Sequence, residues 1–276
     1  MKAMSGITAL AKGLAVLLIA LCVLALVGCE SEEVKTAKEA MNNEILRIEG
    51  QIEELQLEIE NAEALVATDE VPLDSSVIPA LEDAISEAKT VGFEAPSIPG
   101  GIDEIVSKTE ELKSVDYASD MRALQDAEKA VNDSIEQMKL VTNPSEAFVI
   151  ERLQGIEGVG EISAVTEDND PNGNLGKEGG YTATVYFTSP LVDQGLVVGD
   201  SVIEKGTQGG GAIEVYANVE DANKRNEYLA SFDGGILASG SHTVVGTVLV
   251  RTSDELTASQ QDRLEVSIIE ALTRLG

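Results

Sequence analysis

The sequence predicts two folded parts: an N-terminal all-α helical hairpin or bundle, coiled-coil-like, and a C-terminal α+β domain with a mainly antiparallel sheet of about four strands. Three observations carry this expectation. Apolar residues recur in alternating steps of three and four over 34–66, and a second long apolar stripe runs over 117–138, as packed helices require. Beyond Asn143 the periodicity shortens to two, led by the run Tyr181-Thr182-Ala183-Thr184-Val185-Tyr186-Phe187. Glycine and Asn/Asp/Pro clusters punctuate that second half, while residues 34–66 hold no proline and the single glycine Gly50.

Taken in order, the first helix carries Val34, Met41, Ile45, Ile48, Ile52, Leu55, Ile59, Ala62 and Val66 on one seam, with Lys38 the only interruption. Over these residues a helix would extend about 50 Å at 1.5 Å per residue. Pro72 and Pro79 bound its end. A shorter helix follows with Ile78, Leu81, Ile85 and Ala88 on one face, then a breaker-rich loop over 92–101. Ile102, Ile105, Val106 and Leu112 suggest another short helix. Tyr117, Met121, Leu124, Ala127, Val131, Ile135 and Met138 give a second long stripe, which would oppose the first as an antiparallel hairpin. Parallel self-association through the first heptads is the alternative, so the oligomeric state stays open.

In the second half, Asn143-Pro144-Ser145-Glu146 reads as a helix start, with Asn as cap and Pro at the first helical position. That helix should run to about Gln154, followed by a strand over 162–165. Tyr181, Ala183, Val185 and Phe187 alternate against Thr182, Thr184 and Tyr186 as a half-buried strand; residues 212–219 repeat the pattern. Helical spacing follows through Val219, Ala222 and Leu229. Residues 243–250 form a continuous β-branched run, expected as one central strand. Thr257 with Gln260 makes a capping box for a last helix that turns Leu264, Ile268, Leu272 and Leu275 inward. The simplest packing places the helices on one face of the sheet.

Composition narrows the function classes. The net charge is −30, from 49 acidic and 19 basic residues. Such a surface repels nucleic acid and anionic headgroups, so nucleic acid is not an expected partner. Of the two cysteines, Cys22 lies within an apolar run and Cys29 at its end, which leaves no thiol for a disulfide, zinc cluster or nucleophile in a processed chain. One histidine, His242, restricts imidazole chemistry to a single position.

That apolar run has the features of a secretory signal. Lys2 and Lys12 supply the positive end, and residues 13–26 are nearly all Leu, Ala, Val and Ile. Its last four residues, Leu26-Val27-Gly28-Cys29, resemble the lipobox of bacterial lipoproteins. The resemblance implies cleavage before Cys29, a diacylglyceryl thioether on its sulfur and anchoring on the extracytoplasmic face of a cell membrane. Two acyl chains anchor stably, each buried CH₂ contributing roughly 0.8 kcal/mol. An uncleaved membrane helix over 10–27 is the alternative. The expected organisation is thus a signal over 1–28, a lipidated linker over 29–33, a helical stalk over 34–142 and the α+β domain over 143–276. Further resemblance lies in Glu167-Asp168-Asn169-Asp170-Pro171-Asn172, in Leu175-Gly176-Lys177 and the residues to Tyr181, and in Gly246-Thr247-Val248-Leu249-Val250-Arg251. Together they resemble a group of uncharacterised lipoproteins of actinobacteria and related Gram-positive bacteria, some labelled extracellular-matrix-binding. The resemblance implies an architecture and a location, and no activity.

The best chemical constellation is Asp168, Asp170, Asn172 and Asn174 with Gly173 at the turn. Alternating oxygen ligands before a glycine match the first half of a calcium loop, and calcium is the candidate ion. The pattern breaks at the twelfth position, Gly179, with Glu178 one place away; the alternative is an Asx/Pro/Gly turn between strands. His242 beside Ser241 and Thr243 offers the only imidazole for a hydrolase, with acids such as Asp168 as partners. Ser86 and Lys89 have Ser-x-x-Lys spacing inside an ordinary amphipathic helix, and residues 206–211 are glycine-rich without a phosphate-loop ending. Lys224, Arg225 and Arg251 are expected in salt bridges to nearby acids. The leading functional expectation is a non-catalytic anchored stalk presenting a small binding module to a protein or envelope partner. A hydrolase using His242 and an accessory lipoprotein of a transporter are the alternatives.

Overall fold

A computed structural model describes residues 31–235 and 240–276. The signal, the lipobox and Cys29 lie outside the described residues. Among the described residues no helix is long and apolar enough to cross a membrane.

An N-terminal helical region of four helices precedes a domain built on a five-stranded antiparallel sheet. The helices are α1 (Glu32–Val66), α2 (Val77–Ala88), α3 (Ile102–Lys113) and α4 (Ala118–Leu140). The chain divides into two compact units, one of Val91–Ser119 with the chain up to Leu57, the other of Glu58–Thr90 with Asp120–Gly276. This division does not fall at Asn143. The end of α1, all of α2 and nearly all of α4 group with the sheet, because Leu73, Met138 and Val141 pack into its core.

In the first unit Met41, Ile45 and Ile48 of α1 pack with Ile105 and Leu112 of α3. Arg47 closes that contact by donating to the carbonyls of Leu112 and Val115, each at 3.0 Å. The Leu112 carbonyl lies in the last turn of α3 and the Val115 carbonyl just beyond its end, and a guanidinium is the donor best suited to take two at once. In the second unit the carboxyls of Glu58 and Glu128 lie close enough to interact, and Glu70 pairs with Lys139 at 3.0 Å. Both partners advance together along the chain, so α4 runs in the same direction as the end of α1. The expected antiparallel hairpin of the two long helices is therefore not what forms. The chain reverses over α2, whose Lys89 pairs with Glu63, and the non-helical stretch at 90–101 precedes α3 and α4.

The sheet domain continues with α5 (Glu146–Leu153), β1 (Ile162–Ala164), β2 (Tyr181–Thr188), the single turn α6 (Val202–Lys205), β3 (Gly210–Tyr216), α7 (Val219–Ala230), β4 (His242–Val245), β5 (Val248–Thr252) and α8 (Ala258–Thr273). The strand order is β1-β2-β3-β5-β4, with every neighbouring pair antiparallel. The β-branched run at 243–250 is not one strand. It folds back at Gly246-Thr247 with Val245 opposite Val248, which makes five strands where about four were expected. Gly246 has φ 59°, and a Cβ there would lie 2.6 Å from the Val141 carbonyl oxygen. Both a two-residue hairpin and a close approach therefore demand glycine.

Ser145, not Asn143, caps α5: its side chain accepts from the Phe148 N–H, and Asn143 adopts φ 46°. The helix thus starts after Pro144 rather than with it. The capping box of α8 forms as expected, with the Thr257 N–H donating to the Gln260 side-chain oxygen at 2.9 Å.

Helices cover both faces of the sheet, not one. On one face Val185, Phe187, Ile213, Val215, Val248 and Val250 meet Val149 and Leu153 of α5 and Leu264, Ile268 and Leu272 of α8. On the other, Tyr216 and Leu249 meet Ala222 and Leu229 of α7. A register shift between Tyr181 and Ala183 turns Tyr181 onto this second face, against the strict alternation read from the sequence.

Candidate functional site

The second face of the sheet holds the domain's main cluster of ionisable side chains. Glu214 on β3 is completely buried. Arg251 on β5 donates to its Oε1 at 2.7 Å. Arg225 reaches down from α7 with Nε 3.1 Å from Oε2 and a second nitrogen 3.4 Å from Oε1. Tyr216 donates to Oε2 at 2.7 Å. Burial alone would push the Glu214 carboxyl up, but the Arg251 and Arg225 guanidiniums with the Tyr216 hydroxyl outweigh it and hold it below the usual range. Burial and the adjacent Glu214 charge raise the Tyr216 phenol far above its ordinary value. Glu214 is thus a fixed anion neutralised by two cations.

Next to this cluster lies the loop read as a calcium motif. Asp170 accepts from the backbone N–H groups of Asn172 at 3.0 Å, Asn174 at 2.6 Å and Leu175 at 2.8 Å. It also accepts from the Tyr181 hydroxyl. Its partial burial raises the pKa, but these four donors lower it by more. The Asn172 amide turns toward the hydroxyls of Tyr186 at 3.3 Å and Tyr181 at 3.5 Å. Asp168 and Asn174 are exposed, and Asn174 contributes backbone groups: its N–H to Asp170 and its carbonyl to Lys177. Both Asp170 carboxylate oxygens are thus taken up by donors of the loop and of Tyr181. Among the described residues no group of three or more His, Cys, Asp and Glu side chains is placed to hold a metal ion. A carboxylate gathering successive backbone N–H groups organises an Asx-type turn, and that is what Asp170 does between β1 and β2.

His242 stands on edge strand β4. Its Nδ1 lies 2.6 Å from the Asn226 amide oxygen and its Nε2 3.3 Å from Asp233. Both partners belong to α7 and the turn after it, so the imidazole ties that helix to the sheet edge. Ser241 is engaged elsewhere, 2.6 Å from the Thr252 hydroxyl and donating to Glu265 at 2.8 Å. Thr243 also donates to Glu265, at 2.6 Å. Among the described residues no hydroxyl is set against His242 as a nucleophile would be, and Asp168 is not among its partners. Lys224 pairs with Glu220 and Asp221 on α7, and Arg225 and Arg251 with Glu214. Ser86 donates to the Glu82 carbonyl and Lys89 pairs with Glu63, so neither addresses the other.

Nothing in the sequence marks Glu214 as the hub. Its alternation with Val215 reads as a solvent-facing position, and only the covering helix makes it interior. Comparison with protein-family models, with curated proteins and with solved structures finds no match.

Proposed function

We propose that the protein is a lipoprotein anchored on the extracytoplasmic face of a cell membrane, in which a helical stalk presents a non-catalytic α+β binding module. The observation that carries this reading is Leu26-Val27-Gly28-Cys29 at the end of a positively flanked apolar run. Two further features support it. The heptad seam of α1 begins at Val34, five residues after the cysteine, as suits a spacer. The groups with catalytic potential are committed to internal bonds: Glu214 to two arginines, Asp170 to backbone donors, His242 to Asn226 and Asp233. A module whose charged residues organise its own interior binds through its outer surface.

Expression in a Gram-positive host with a clickable fatty acid tests this directly. The wild-type chain should carry label on Cys29, seen as a diacylglyceryl-modified N-terminal peptide by mass spectrometry, and should sediment with membranes. Cys29→Ala should lose the label and the processing while the body keeps its melting temperature. A labelled Cys29→Ala chain, or an unmodified wild-type Cys29, would remove the anchored reading.

A further inference from the structure

Along the outer side of α8 runs a groove whose polar side chains the domain leaves largely unused. Two adjoining cavities form it, of about 610 and 460 Å³, which share Glu157 and Ser267. Gln137 of α4 and Gln154 after α5 line the first, and Pro190 and Leu191 line the second. On α8 itself, Arg263, Ser267 and Glu270 follow one another in steps of four and three, and Arg274 at its C-cap continues the stripe.

Cations are the scarce charge in this chain, with 19 basic residues against 49 acidic. At least nine of the described basic side chains hold ion pairs to Asp or Glu. Arg263 and Arg274 make no hydrogen bond, ion pair or ring contact among the described residues, and both lie in this one groove. The same holds for the side chains of Gln137, Gln154, Glu157, Ser267 and Glu270.

We propose that this groove binds an extended peptide carrying two carboxylates about five residues apart with an amine between them. At 1.5 Å per residue the two guanidiniums are spaced by about 16 Å along α8, which is five residues of extended chain at about 3.3 Å each. A guanidinium fork grips a carboxylate through two parallel hydrogen bonds. Glu270 stands between the two arginines and complements an ammonium. Gln137 and Gln154 each offer an amide donor and acceptor, the groups a peptide backbone exchanges. Glu157 and Glu270 repel a uniform polyanion, so the pattern selects a chain of mixed charge. Leu191, 52% exposed at one end, supplies an apolar contact. This site rests on the reading of the domain as a binding module.

The test uses the acylated full-length chain in neutral vesicles and a fluorescent Asp-Ala-Ala-Lys-Ala-Asp peptide, followed by anisotropy at low salt. Saturable binding is expected. Arg263→Gln or Arg274→Gln should each weaken it by roughly tenfold, the typical reach of one charge-assisted contact. The double variant should lose binding with its melting temperature unchanged, since both side chains are exposed. Reversing both charges (R263E with R274E) should transfer preference to Lys-Ala-Ala-Asp-Ala-Lys. The proposal is overturned if the peptide does not bind saturably, if an Asn-for-Asp peptide binds as well, or if inorganic polyphosphate displaces the peptide at equal charge. Absent binding by a chain that still carries acyl label on Cys29 overturns the groove and leaves the anchor standing. Binding by a chain that is never acylated does the reverse.

Discussion

At the scale of single residues, Glu214 concentrates the largest opposing energies in the domain. Removing a carboxylate from water costs several kcal/mol, and only its partners recover that cost. With Arg251 at 2.7 Å, Arg225 on both oxygens and Tyr216 at 2.7 Å, its acceptor sites are filled. Glu214→Ala would leave Arg251 buried without its anion, and should destabilise the domain by about 3–5 kcal/mol. Tyr216→Phe removes one hydrogen bond to a charged group and should cost about 1.5–3 kcal/mol. Urea unfolding of both variants checks the order, and equal losses would show that the ion cluster is not the anchor. Acid should act on the same group. The folded pKa lies below the ordinary glutamate range, so this contribution is complete above that range and disappears as pH falls through the lowered value.

Between elements, the pairing of α1 with α4 carries the opposite pH dependence. Glu128 faces Glu58 with its Oε1 sealed from solvent. Partial burial, then the Glu58 charge and its hydrogen bond, raise the Glu128 pKa to about 6. The folded form holds this proton more tightly than the unfolded form. Its contribution is therefore full below the ordinary glutamate range and fades as pH rises through about 6. Because Glu128 is only partly buried, screening limits the effect to under about 1 kcal/mol. Glu128→Gln should raise the melting temperature slightly at pH above 7 and flatten its slope between pH 5 and 7, read by circular dichroism. An unchanged slope would mean that the two carboxyls do not share a proton.

The same elements show what a sequence can and cannot disclose. The apolar stripe of α1 and the capping box of α8 are local patterns, and both form where the periodicity places them. The relative direction of α1 and α4 is not local. It depends on how the chain at 90–101 is routed, and no side-chain period encodes that. The hairpin at Gly246-Thr247 was hidden because Thr243, Val244, Val245, Val248, Leu249 and Val250 are all suited to a strand; only the φ of 59° at Gly246 breaks the run. Glu214 and Tyr216 alternate with Ile213 and Val215 as an outward face would, yet α7 covers them. The turn at 166–180 was legible as an Asx/Pro/Gly turn, while the role of Asp170 in gathering backbone N–H groups needed the loop's path. The groove along α8 had no signal, since its lining comes from α4, the end of α5, the 190–191 turn and α8.

For the whole molecule, the decisive feature is that the sheet domain does not begin where its own secondary structure does. Val141, two residues before Asn143, is fully buried in the sheet's core. Its carbonyl accepts the Thr247 N–H at 2.9 Å, and the Asn143 N–H donates to the Thr247 hydroxyl at 2.6 Å. Leu73 and Met138 pack against the same core, and the Leu73 and Asp74 N–H groups bond Ser134 of α4 at 3.0 and 2.8 Å. A chain of residues 143–276 would expose the β4–β5 turn on one side and lose Val141, whose burial alone is worth about 1.5–3 kcal/mol. A chain of residues 58–276 keeps every one of these contacts. The shorter chain should therefore melt well below the longer one, by roughly 5 °C or more at this size, and should exchange the Thr247 amide hydrogen faster. If the two chains melt together, the end of α4 is only a tether. If they separate as expected, the last turns of the helical region form the floor of the sheet domain, held to the β4–β5 hairpin through Val141 and Thr247.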